Sequence, residues 1–204
     1  SDGEFADVAE SLGRPGALIL VGERAAATRG TLTAAVALAG RTGARLAWVP
    51  RRAGERGAVE AGLLPGLLPG GRPVSDPAAR VDAGAVWGGA TVPAEEGRDL
   101  TAILQALVAG ELAGAVVGGV EIRDLPDPRL ARAALAAAFV VQLEVRRSEV
   151  TDHADVVLPV APPVDKPGTY VNWEGRMRPF PQVRTSTAQS DRRVLNDLAR
   201  ELGA

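Results

Sequence analysis

Hydrophobic positions along this 204-residue chain switch between two periods, and the switches mark out its elements. Phe5, Val8, Ala9 and Leu12 recur at helical spacing with Glu4, Asp7 and Glu10 between them, and Gly13 and Pro15 end that first helix. Residues 16–22 (GALILVG) are apolar throughout, the pattern of a strand buried on both faces. A helix over 28–39 carrying Leu32, Val36 and Leu38, then a strand over 45–49, complete a βαβ unit. The rhythm returns at residue 97. Leu100, Ile103, Leu104 and Leu107 share one face of a helix over 99–109, and a strand follows over 113–118. Asp127 caps and Pro128 starts a helix over 130–138, which leads into strands over 139–145 and 154–158. Ser190 or Asp191 caps a closing helix with Val194, Leu195, Leu198 and Leu202 on one side. Strand and helix alternating in this way predict an α/β fold, a mostly parallel sheet with helices on both faces, in one domain spanning 1–204.

Two stretches break the pattern. Over 50–92 regularity fades into a Gly/Pro/Leu-rich excursion in which a Leu-Leu-Pro-Gly unit occurs twice between Gly62 and Gly70, too few copies for a solenoid. Its leucines need cover, on the domain's own flank or on a neighbouring subunit. Arg51, Arg52 and Arg56 read either as a solvated face or as an anion or partner contact, and no phosphate-loop Lys-Ser/Thr accompanies them. Over 159–189 the prolines Pro159, Pro162, Pro163 and Pro167 forbid a ladder, so the chain crosses extended to Gly168. A short β-rich segment follows, turning at Gly175, where a positive φ is expected.

Composition removes several classes of function. The 23 basic and 25 acidic residues nearly balance, so no broad field attracts nucleic acid or an anionic membrane. The chain has no cysteine, which excludes a disulfide framework, a cysteine nucleophile and a thiolate-held cluster within it. The longest apolar runs are too short to cross a bilayer, which points to a soluble, cytoplasmic chain without membrane insertion. Met177 is the single methionine, and the sequence reads as a piece of a larger polypeptide. Gly22-Glu23-Arg24-Ala25 after the first strand lacks the glycine fingerprint that lets a dinucleotide pyrophosphate approach the backbone. His153 has only Asp152 and Asp155 beside it, which is no metal set, and GxSxG, HExxH and CxxC are all missing, so neither a catalytic nor a metal residue is assigned. Trp48, Trp87 and Trp173 read as core or interface anchors.

The stretch from Ser148 carries a more specific signal. Thr151, the run Ala154-Asp155-Val156-Val157-Leu158-Pro159, a proline-rich spacer and then Lys166-Pro167-Gly168-Thr169-Tyr170-Val171-Asn172-Trp173-Glu174-Gly175-Arg176 resemble the molybdopterin oxidoreductase superfamily. The ending through Phe180 most resembles the family of large iron–sulfur subunits, the G subunits, of bacterial NADH-quinone oxidoreductase, respiratory complex I. The likeness is strong over roughly residues 111–202 and weaker before, although that family has similar glycine-leucine-proline loops where this chain has its excursion.

In molybdopterin enzymes the loops matching Gly118-Gly119 and 148–153 help hold the guanosine half of the pterin cofactor. The resemblance therefore implies a set of vestigial pterin-site positions: Gly118, Gly119, Thr151, Asp155, Asn172, Glu174 and Arg176. Where the family commonly shows a Gly-x-Asn-Pro exit, this chain reads Gly119-Val120-Glu121, placing a carboxylate where a polyanion would sit. The resemblance implies a pterin-type fold kept as structure, in a cytoplasmic subunit at the inner face of the membrane. Its iron–sulfur clusters would lie outside this chain, its partners would be other peripheral-arm subunits, and molybdopterin would be absent. The alternatives are a piece of an authentic molybdenum enzyme such as a formate dehydrogenase, and a stand-alone α/β interaction module.

Overall fold

The structure, a computed structural model, describes residues 2–28, 30–49 and 54–203, so Arg51 and Arg52 lie outside the described residues. It forms two compact units, Ser1–Gly57 with Val171–Arg176 and Ala58–Tyr170 with Met177–Ala204.

The first unit runs α1 (Asp2–Leu12), β1 (Leu18–Gly22), α2 (Thr31–Thr42) and β2 (Arg45–Val49). β1 and β2 are parallel, Leu18 lying opposite Arg45 and Gly22 opposite Val49, as the βαβ pattern predicts. After β1 a 3-10 turn takes up Glu23–Ala27, so α2 starts later than its apolar spacing suggests, behind Gly30 at φ 84°. Ala35 and Ala39 form the half-buried side of α2, whereas Leu32, Val36 and Leu38 are exposed. Val21 and Ala44 are the buried apolar side chains among the described residues of this unit.

α3 (Glu55–Glu60) begins in the first unit and ends in the second. The excursion that sequence reading expects to be irregular then contains its own small fold: the antiparallel pair β3 (Leu67–Leu68) and β4 (Arg72–Pro73), and α4 (Pro77–Val86). The signal for α4 is present but short. The Asp76 carboxylate accepts from the Ala78 amide at 2.9 Å and Pro77 fills the first helical position, a cap-plus-proline start that an alanine-rich helix without a leucine stripe does not advertise. Leu68 is buried with Val74, Ala79 and Ala83, so this leucine finds its cover within the excursion, while Leu63 and Leu64 stay exposed. Gly62, at φ 79°, is indispensable to that arrangement, because a Cβ there would lie 2.5 Å from the Leu68 carbonyl carbon.

The main core of the second unit follows the predicted rhythm: α5 (Leu100–Val108), β5 (Gly114–Gly118), α6 (Pro128–Ala137), β6 (Phe139–Glu144) and β7 (Val156–Pro159). Asp99 and Asp127 cap the two helices through their carboxylates. The strands are parallel in the order β5-β6-β7, with Val116, Val141 and Val156 abreast. Ala115, Val117 and Val140 point to one face and pack with Leu104, Leu107, Ile122 and Leu135 from the covering segments. Each fully buried side chain of this kind stabilises by ~1.5–3 kcal/mol. Beyond β7 the proline-rich crossing leads to the paired strands β8 (Gly168–Val171) and β9 (Met177–Phe180), then to α7 (Asp191–Glu201), capped by Ser190, one of the two caps its sequence offers.

The expectation of one domain is a statement about cooperativity. The first unit buries few apolar side chains among its described residues, Val21 and Ala44, and a small core is marginal by itself. We therefore expect a denaturant melt to show one transition, and two well-separated transitions would show the units to be independent domains.

Candidate functional site

In a parallel sheet the crevice for a ligand lies beyond the carboxyl ends of the strands. Gly118 ends β5 directly beside Leu143 of β6, so the exits of both strands lie together. Gly119 makes the turn with φ 62°, and open space surrounds its missing Cβ. The next polar side chain, Glu121, does not face an empty crevice: its carboxylate accepts from Arg146 Nη2 at 2.8 Å, tying the loop after β5 to the loop after β6. Arg147 donates to Asp152 at 3.3 Å, and Arg132 of α6 binds the Glu149 carboxylate through two nitrogens. That bond holds the Glu149 carboxyl below the usual carboxylate range. Sequence reading singled out Glu121 but not Arg146 or Arg147. The visible signal was an Arg-Arg pair directly after an apolar strand, and only the fold shows which acids face it.

The loop 148–153 is not simply an exit loop. It is the crossover from β6 to β7, so it travels back along the sheet, and Val150 is buried in the core on the way. Ser148 and Thr151 form a reciprocal capping box: the Thr151 hydroxyl accepts from the Ser148 amide at 2.9 Å, and the Ser148 hydroxyl oxygen accepts from the Thr151 amide. Ser148 Oγ also accepts from Gln142 Nε2 at 2.9 Å. Asp155 emerges at the opposite end of the sheet, where its carboxylate accepts from the Val140 amide at 2.7 Å and its own amide donates to the Val140 carbonyl at 2.9 Å. Thus Gly118, Gly119 and the start of the crossover share the carboxyl edge, and Asp155 does not.

Asn172, Glu174 and Arg176 belong to the other unit, where they make a closed turn. The Asn172 side-chain oxygen accepts from the amides of Glu174 at 3.2 Å and Arg176 at 2.9 Å. Its backbone amide donates to the Arg176 carbonyl, and its side-chain nitrogen donates to the Glu174 carboxylate. Arg176 Nε lies 3.4 Å from that same carboxylate. Gly175 completes the turn at φ 82°. The N-x-E-G-R pattern is therefore explained by local hydrogen bonding alone.

The proline-rich crossing is latched by charge. Asp165, buried, receives two hydrogen bonds from Arg184, at 2.7 and 3.0 Å. They hold its carboxyl below the usual range, with Ser186 adding to the effect and burial opposing it. Lys166 pairs with Asp191 at the start of α7. His153 is half-buried, and no group of three or more metal-ligating side chains gathers among the described residues. None of Trp48, Trp87 and Trp173 is in the core: each is exposed, which corrects the core half of that expectation.

The fold and these strand-end loops define an α/β protein of the parallel-sheet class, with the exits of β5 and β6 bridged by its own side chains. No protein-family model matches the chain. It is 56% identical over 198 residues to the NADH-quinone oxidoreductase G subunit of Streptomyces coelicolor, covering 94% of this chain and 24% of that protein. The same identity over 201 residues relates it to the NADH-quinone oxidoreductase G subunit of Mycobacterium tuberculosis, covering 96% of this chain and 25% of the relative. A weaker similarity, 27% over 153 residues, covers 73% of this chain and 16% of the Bacillus subtilis protein named "Putative formate dehydrogenase YrhE". Over the span described, the chain belongs to the family of NADH-quinone oxidoreductase G subunits. It spans about a quarter of the length of those relatives.

Two consequences can be measured. Gly175→Ala should destabilise by about 1 kcal/mol through backbone strain at positive φ, read from denaturant melts of the two proteins. A carboxylate held low in the fold stabilises it above the ordinary range near pH 4 and loses that contribution as pH falls through the lowered folded value. Stability should therefore drop with acid below about pH 4, and Asp165→Asn should be less stable at neutral pH while showing a shallower acid dependence. An unchanged acid profile would remove Asp165 from that account.

Proposed function

We propose that this chain is a non-catalytic structural portion of the cluster-carrying subunit of an NADH-quinone oxidoreductase, in which it supports electron transfer from NADH to quinone. The parent subunit holds its iron–sulfur clusters outside this chain, which has no cysteine to ligate one. Its partners are the other peripheral-arm subunits, at the cytoplasmic face of the membrane. No helix among the described residues is long and apolar enough to cross a bilayer, in keeping with a peripheral position.

One observation carries the non-catalytic part of this reading. Two arginines at the β5 and β6 exits are engaged by the chain's own acids: Arg146 by Glu121 and Arg147 by Asp152. A pterin nucleotide brings phosphates that need spare positive charge and free amide or hydroxyl donors. Here Thr151 is closed into its capping box, and Glu121 adds a negative charge. These residues do not fit the cofactor. The positions Gly118, Gly119, Thr151, Asp155, Asn172, Glu174 and Arg176 are accordingly read as structural remnants. The weaker likeness to a formate dehydrogenase relative favours the molybdenum-enzyme alternative only at the level of a shared fold.

Calorimetric titration of the purified chain tests this. With pterin guanine dinucleotide, and separately with NADH, binding should be weaker than about 1 mM. Micromolar binding of the pterin nucleotide that disappears in Gly119→Val or Thr151→Val variants would establish the molybdenum-enzyme reading instead.

A further inference from the structure

No further inference is drawn: the strongest candidate, the cavity of about 530 Å³ where Lys166, Thr169, Tyr170 and Arg192 surround the start of α7, rests on a helix N-terminus whose neighbouring Lys166 is already paired with Asp191, and no second feature among the described residues there points to a ligand.

Discussion

Parallel strands have no favourable way to leave a face in water, because their side chains are apolar on both sides, and this constraint governs the second unit. Val140, wholly buried at the start of β6, sits where α5, α6 and the crossover segment converge. Asp155 then binds the Val140 amide with its carboxylate and the Val140 carbonyl with its amide, fixing where β7 begins. Once that end is pinned, the register that puts Val141 opposite Val156 follows along the strand. A residue that the family pattern marks as part of a ligand site therefore acts here as a register pin, at the end of the sheet away from the crevice.

The polar groups at the carboxyl edge obey a related rule. Charges near a low-dielectric core are best kept in pairs, and the loops after β5 and β6 supply both signs. Glu121 and Arg146 join the two loops, Arg147 meets Asp152, and Arg132 reaches from α6 to Glu149. These contacts lie largely in water, where the energy of each is small. Their consequence is local: they tie the exit loops and the crossover to one another at the edge of the sheet.

Glycine does the same kind of positional work in the irregular parts. Gly175 supplies the left-handed residue of the turn that Asn172 organises, and Gly168 leaves room for the Phe180 ring, which stacks against Tyr170 with centroids 5.2 Å apart. Gly62 lets the excursion fold back against the backbone at Leu68. At Gly62 and Gly168 the missing side chain permits the close approach, and at Gly175 it permits the left-handed backbone.

Most of the secondary structure was legible from the chain alone. Apolar periodicity and short caps such as Asp99, Asp127 and Ser190 act within a few residues, so they can be read in one dimension. The parallel α/β class and the positive φ at Gly175 were legible for the same reason, and the motif from Thr151 to Arg176 pointed to the right family. α4 was missed because an alanine-rich helix lacks the apolar stripe that periodicity detects. Which arginine meets which acid could not be read at all, since Glu121 and Arg146 are 25 residues apart and meet only because β5 and β6 are parallel and end together. Tertiary structure also separated Asp155 from Gly119 and set Asn172, Glu174 and Arg176 in another unit, because position in a fold follows from strand direction and register, which no local pattern encodes.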